Sequence, residues 1–408
     1  MKAVSQIIPP RKVNTLFFLV IVVLFSTLNP NYLPSASAQQ GGSVSLSGWL
    51  IILRGDSQDG SATKEIHMLD TDDGKSVPLV LDGDAAKSAG GLLALDRKRI
   101  TVDGSWSGAP SAQGAPAAFR VTSLAPVQEP AAAASPPSAV TGPQKWISIM
   151  CRFQGNTSEP KNLSYFQNIY MNSYPGMDHY WRQQSYNLIN TVGSSASGWY
   201  VLPHPRSYYL SPAGWFNLDQ AAIDCTGVAN PSVNFSTYAG INLMFNDQLD
   251  DVGNGGFAWG GGHYMTLDGV TKVWDMTWEP PWGYENIAVL GHEMGHALGL
   301  PHSSGNHGET YDNEWDVMSD TWTGCYNRTG PDLVYGCLGQ HTISYHKDIL
   351  GWIPAAQKTS VAAGSSKTVL LEQLALPQTT NYKMVKIPIA GSGTRFYTVE
   401  ARRLNDNR

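Results

Sequence analysis

His292-Glu293-Met294-Gly295-His296-Ala297-Leu298-Gly299-Leu300-Pro301-His302 is the run on which the reading of this chain turns. It fits H-E-x-x-H-x-x-G-x-x-H, a spacing with a physical reason at each fixed position. His292 and His296 are four apart, so on a helix they project from one face a single turn apart. Both imidazoles can then reach one zinc ion at about 2.0–2.1 Å. Glu293 sits beside the first ligand but too far round to bind the metal, which suits a base acting on water at the metal. Gly299 ends the helix, because glycine takes a positive-φ turn without a Cβ clash. The chain then bends back and offers His302 as third ligand. Three protein ligands leave one tetrahedral position open, the mark of a catalytic rather than a structural site.

Isolated histidines on helices are usually ordinary core or surface residues, but five fixed positions together are not. With 10 His and 41 Gly in 408 residues, a chance match is expected on the order of once in 10⁵ such chains. The flanking residues also behave as a core helix should: Ile287, Leu290, Met294 and Leu298 recur at three- and four-residue steps.

Sixteen residues beyond His302 lies Met318, in Asp316-Val317-Met318-Ser319. A lone methionine is usually core filler, but after a complete zinc motif it resembles the methionine turn of the metzincin clan of zinc endopeptidases. The stretch Glu309-Thr310-Tyr311-Asp312-Asn313-Glu314-Trp315-Asp316-Val317-Met318 is similar to the corresponding segment of gametolysin-like peptidases, the algal cell-wall lysins. So is His346-Lys347-Asp348-Ile349-Leu350-Gly351-Trp352-Ile353, which resembles their helix-then-Gly-Trp ending of the catalytic domain. The resemblance implies an apolar floor of Met318 under the metal. It also implies a mixed-sheet catalytic domain whose edge strand binds extended peptides, and a protein substrate from the extracellular matrix or cell wall. Some metzincins place an oxyanion-stabilising tyrosine two residues after the methionine; here that position is Asp320, and Tyr326 and Trp322 stand near it without an assignment.

The remaining signals describe an exported chain. Residues 16–25 form a ten-residue apolar run after Lys2, Arg11 and Lys12, followed by Ala36-Ser37-Ala38. This reads as a secretory signal peptide over 1–38. Ten apolar residues fall short of the roughly 20 that span a bilayer, so an uncleaved anchor is disfavoured and no stable membrane partner is expected. With 27 basic against 33 acidic residues and no basic tract, nucleic acid is excluded as a partner class. Cys151, Cys225, Cys325 and Cys337 are the four cysteines, an even count that favours two disulfides in an exported protein. Three pairings exist. Cys325–Cys337 is favoured because the loop after the methionine turn needs a staple, which leaves Cys151–Cys225. Asn156, Asn162, Asn234 and Asn327 lie in N-x-Ser/Thr sequons, candidate glycosylation sites.

Along the chain, residues 39–125 show alternating apolar segments parted by Gly/Asp turns, the grammar of a small all-β barrel or sandwich, reminiscent of an OB-like barrel. A pro-region or spacer is the expected role. Residues 126–144 are Pro/Ala/Ser-rich and read as an extended linker. The catalytic domain is expected over 145–355: a strand Trp146–Phe153, a helix around Met177–Thr191, strands near Gly240–Phe245 and Gly262–Leu267, then the zinc helix. The Gly-rich run Gly255–Gly262 could let a substrate backbone approach closely. His263 is not needed as a ligand, since three exist already. Residues 356–408 read as a β-rich C-terminal segment with strands Lys367–Leu371, Met384–Ile389 and Arg395–Glu400, cut short at Arg408.

The expected fold is therefore α+β, and the expected function a secreted zinc metalloendopeptidase acting on an extended peptide or protein, with Glu293 as general base. Two alternatives remain: an inactive binding protein on the same scaffold, and a zinc amidase acting on non-protein bonds. One Zn²⁺ is implied; structural Ca²⁺ is left open, because no Asp-x-Asp-x-Asp-Gly loop occurs. No cysteine lies between residues 39 and 144, so a thiolate from this region cannot cover the zinc. Latency, if built in, requires steric cover or an aspartate, for which Asp70, Asp72 and Asp73 are the candidates.

Overall fold

Period-two alternation in residues 44–126 gives five strands, β1 (Val44–Ser57), β2 (Thr63–Thr71), β3 (Ser76–Leu81), β4 (Arg99–Ser107) and β5 (Ala118–Pro126). A short helix α1 (Leu92–Leu95) lies between β3 and β4. In this computed structural model the strands close on themselves in the order β1-β2-β3-β5-β4-β1. Their inward residues, among them Leu50, Leu69, Ile100, Val102 and Phe119, form a separate small core. The region is thus a five-stranded barrel, the shape its turn spacing suggests. The structure describes residues 43–403 except 82–84, 86–89, 109–116, 128–138, 304–310, 312, 314, 320–329, 377–379 and 393–394. The signal-peptide reading and most of the linker lie outside these residues.

The second half contributes β6 (Gly142–Pro143), β7 (Trp146–Arg152), α2 (Leu163–Asn168), α3 (Met177–Gln184), β8 (Ile189–Asn190), β9 (Ser195–Val201), α4 (Leu218–Ala229), β10 (Gly240–Phe245), β11 (Phe257–Leu267) and β12 (Val270–Glu279). Helices α5 (Pro281–Glu285), α6 (Ile287–Ala297) and α7 (Ser344–Ile349) follow. β9, β7, β10 and β12 run parallel, and β11 is antiparallel to β12. β7 and β10 send alternate side chains to opposite faces. Ile147, Ile149, Ile241 and Leu243 pack with α4, while Trp146, Met150 and Met244 pack with α3 and α6. Burial on both faces explains their nearly continuous apolar sequences. Cys151 of β7 is disulfide-bonded to Cys225 of α4, fastening that helix to the sheet. Cys337 is also disulfide-bonded; its expected partner Cys325 lies outside the described residues.

The barrel and this mixed sheet are continuous. The C-terminal end of β1 pairs with β2 on one side and with β11 on the other, giving a ten-stranded order β2-β3-β5-β4-β1-β11-β12-β10-β7-β9. Residues 42–408 accordingly form one compact unit. No helix among the described residues is long and apolar enough to cross a membrane.

Three local expectations are corrected. The helix expected to Thr191 stops at Gln184, because Tyr186 and Asn187 take left-handed conformations (φ 56° and 63°) that break it, and Ile189–Asn190 is strand. The end of the expected linker is structured: Gly142–Pro143 pairs with β8, and the Val140 amide donates to the Leu350 carbonyl at 3.0 Å. Lys367–Leu371 is not a strand. The C-terminal sheet is β13 (Lys358–Ser360), β14 (Met384–Pro388) and β15 (Phe396–Val399), and Leu371 makes only an isolated bridge to Tyr382. Leu370 is 70% exposed, so the apolar run finds no face to bury.

Candidate metal centre

Helix α6 lies across β11 and β12 and is buried over its whole length. Its first amides are not left unsatisfied: Ile287 and Ala288 donate to the carbonyls of Tyr335 and Cys337, at 2.8 and 2.9 Å. The helix fits closely because β11 carries Gly260 at the crossing, where an added Cβ would stand 2.3 Å from the Glu293 carbonyl oxygen. Gly260 therefore makes room for α6. Gly261 instead faces β1, 2.7 Å from the Ile52 carbonyl oxygen by the same construction. Gly260 and Gly261 thus serve the packing of α6 and β1.

At its C-terminal end α6 turns as the motif requires. Gly299 has φ 93°, and the Leu300 amide reaches back to the Gly295 carbonyl at 2.9 Å. The turn fixes two imidazoles. His292 Nδ1 donates to the Val317 carbonyl at 2.6 Å and His296 Nδ1 to the Leu300 carbonyl at 2.7 Å, so each ring directs Nε2 to a common point. His302 arrives from beyond the turn, its Nε2 3.0 Å from that of His296. Met318 lies beneath: a Cβ on Gly295 would be 2.4 Å from its sulfur. The methionine and its neighbours are held by Asp316, whose Oδ1 accepts from the Met318 amide at 3.2 Å. Asp316 Oδ2 stands 2.7 Å from His346 Nδ1, both side chains buried. The two sequence stretches that carried the family resemblance are thus in contact.

The fourth corner is filled. Asp56, near the end of β1, is fully buried, with Oδ2 3.2 Å from His292 Nε2 and 3.4 Å from His296 Nε2. Its Oδ1 lies 2.7 Å from His302 Nε2 and accepts from the Tyr311 hydroxyl. The four ligand atoms lie within 4.8 Å of one another. A tetrahedral ion with bonds of about 2.0–2.1 Å separates its ligand atoms by about 3.3 Å, close to these spacings. The Asp/His₃ group can hold a metal ion. The position expected to be open is occupied by a side chain from the barrel.

Charge at the cluster is divided. Burial alone would raise the Asp56 pKa, but the facing imidazoles of His302 and His292 hold it well below the usual carboxylate range. Burial pushes His296 well below the ordinary histidine value, with its two neighbouring imidazoles adding to the shift. An ionised carboxylate and a neutral imidazole are the forms a metal needs, whereas Asp56 outweighs burial at His292 and lifts that imidazole above its ordinary value. Glu293 is also buried. Burial, then the charges of Asp56 and Glu279, push its carboxyl well above the normal range. Burial likewise raises Glu279, at the end of β12, to about 8.

Asp70, Asp72 and Asp73 lie outside the group formed by Asp56, His292, His296 and His302. Asp72 pairs with Arg99 and Asp73 with Lys75 at the barrel surface. Asp70 accepts from the Tyr264 amide at 2.8 Å and lies 3.2 Å from His263 Nδ1, while Asp219 lies 3.0 Å from His263 Nε2. His263 is thus an inter-strand anchor outside the metal group. Of the sequons, Asn162 and Asn234 are exposed, and Asn156 is half-buried with its amide donating to Asp247 at 3.1 Å. Cys325, Asn327, Trp322 and Tyr326 lie outside the described residues.

Asp56 and Tyr311 were not singled out from the sequence. The available signal was Arg54-Gly55-Asp56-Ser57 closing the apolar run Leu50–Leu53, yet all of Arg54, Asp56 and Ser57 are buried. Charged residues continuing a core strand point to a partner surface.

No protein-family model matches the chain, and no curated protein is significantly similar to it in sequence.

Proposed function

We propose that the chain is a secreted zinc metalloendopeptidase of metzincin type. The observation that carries this reading is the convergence of His292, His296 and His302 Nε2 on one point, with the buried carboxylate of Glu293 on the same helix. Three nitrogens and a carboxylate oxygen suit zinc better than the oxygen-seeking Mg²⁺ or Ca²⁺. When bound, zinc supplies Lewis acidity, lowering the pKa of water and polarising a carbonyl. Glu293 takes the proton of the attacking water and delivers it to the leaving amine. His292 and His296 are kept in their ligating tautomer by the Val317 and Leu300 carbonyls. Were the end of β1 displaced, β11 would offer backbone groups to an extended peptide, the way strand addition recognises substrates. By resemblance, the substrate class is extracellular matrix or cell-wall protein.

Asp56 in the fourth corner favours a second reading, a closed four-ligand site in a binding protein. Metal content and digestion of casein, with and without chelator, by the full chain and its Asp56→Ala variant separate the two. The peptidase reading expects one zinc per chain and chelator-sensitive cleavage by the variant. Zinc without cleavage in both proteins would favour the binding protein.

A further inference from the structure

Side chains alternate across β11. Gly260 lies under α6, so Trp259 and His263 point to the opposite face, where Trp259 packs in the core that includes Ala221 and Cys225 of α4. On that face, between β1, β2 and the start of α4, is a cavity of about 200 Å³. Ile51, Leu53, Met68, Trp215, Leu218 and Trp278 make its wall apolar. An apolar cavity of about 150 Å³ is large enough for benzene, so this one admits a single ring with a short side chain. An unfilled cavity forfeits the contacts that its lining atoms would otherwise make, and an occupant restores them.

One end of the cavity is charged. His263 is bracketed by Asp70, 3.2 Å from its Nδ1, and Asp219, 3.0 Å from its Nε2, and these three are the titratable groups of the lining. Two carboxylates against one imidazole leave this end negative whichever form the histidine takes. The positive end of α4, about half an elementary charge, does not cancel that. Asn217 already caps the helix there, accepting from the Gln220 amide at 3.1 Å. Asp70 is fully engaged, with the Tyr264 amide, the Ser76 hydroxyl and His263 all on its carboxylate. Asp219 has acceptor capacity left, and its side chain is 35% exposed. With Ser76 it also lines an open groove beside Trp106, so the charged end is the entrance.

We propose that this cavity is a binding site for a small amine carrying one apolar ring, the ring seated among Met68, Trp215 and Trp278 and the ammonium on Asp219 at the mouth. A neutral molecule of the same shape fills the wall but forgoes the ion pair, and an anion meets two carboxylates. The cavity shares no residue with the group of Asp56, His292, His296 and His302. The inference therefore stands apart from the peptidase reading.

Calorimetry on the full chain at neutral pH tests this with phenethylamine, phenethyl alcohol and phenylacetate. The amine should bind at one site per chain, at least about tenfold more tightly than the alcohol, about 1.4 kcal/mol. Phenylacetate should bind more weakly than either. Asp219→Asn should erase the advantage of the amine and leave the alcohol unchanged. Ile66→Phe, which fills the cavity from β2, should weaken amine and alcohol alike by about tenfold or more. Thermal unfolding of each variant without ligand checks that it folds, and the three ligands on the unaltered chain decide the charge assignment if one does not. No binding of the amine, equal binding of amine and alcohol, or tightest binding of phenylacetate would overturn the proposal. Amine affinity unchanged in folded Asp219→Asn or Ile66→Phe would overturn it too, by placing the ligand elsewhere.

Discussion

The carboxylate of Asp56 lies 2.7 Å from Nε2 of His302, a residue 246 positions later in the chain. One end of the contact belongs to a five-stranded barrel, the other to the turn after α6. The first strand of the barrel is thereby part of the candidate metal centre, and changes on either side of it should be read on both.

Glu293→Gln, made together with Asp56→Ala so that the site is open, should keep one zinc per chain and lose peptidase activity by about 10²–10⁴-fold or more. The change removes the base and spares the ligands. His302→Ala in the same background should instead lose zinc. Metal analysis beside a peptide-cleavage assay checks both; cleavage by Glu293→Gln at the parent rate would remove this residue from the mechanism.

Gly260→Ala should destabilise the fold by about 1–3 kcal/mol. The added methyl meets the backbone carbonyl of Glu293, which cannot rotate away as a side-chain tip could. Gly269→Ala tests the different cost of a positive φ (77°) in open space, where only local strain acts. Thermal unfolding compares the two. A drop in zinc occupancy is expected for Gly260→Ala alone.

His263 makes the barrel's attachment weaken in alkaline solution. Burial alone would lower its pKa, but Asp219 of α4 and Asp70 of β2 outweigh burial and lift it from 6.5 to about 9. A group whose folded pKa is raised contributes stability fully present below its unfolded value and lost as pH rises through its folded one. The contribution, at most about 3 kcal/mol, should therefore be complete below pH 6.5 and fade through pH 9. His263→Gln should flatten the melting temperature across that window. An unchanged alkaline slope in this variant would assign the effect to another group.

Cys151 and Cys225, 74 positions apart, tie β7 to α4. Losing that cross-link through Cys225→Ala should cost about 4 kcal/mol by loop-closure entropy. Peptide mapping without reductant should recover Cys151–Cys225, with Cys337 joined to Cys325. Recovery of Cys325 as a free thiol would refute the second pairing.

The zinc motif was legible because its information is local. A four-residue spacing on a helix and a glycine at the turn place His292, His296 and, just beyond, His302, and the structure brings these three together. β7 and β10 were legible for the same reason, as short apolar runs between turn signals. What failed was decided at a distance. Nothing near Asp56 distinguishes it from Asp70 as the residue aimed at the metal; the choice is made by the register of β1 on β11. The end of α3 was missed because two non-glycine residues, Tyr186 and Asn187, take positive φ. Lys367–Leu371 carries the strand-favouring run Thr368-Val369-Leu370-Leu371 yet makes only an isolated bridge, while Lys358–Ser360 lies beside β14 and pairs with it.

The ten-strand continuity has a consequence for the order of assembly. Every barrel strand finds its partners within residues 44–126, whereas β11 meets β1 only after some 200 further residues have been made. Local pairings form early because they close short loops, and long-range ones wait. During synthesis the barrel emerges first, so β1 presents a finished template when β11 arrives. Its open edge would otherwise be exposed to pairing with any passing strand. On this topology the N-terminal barrel should act as a folding guide for the sheet it extends, and a chain begun near Gln144 should refold more slowly and aggregate more than the whole.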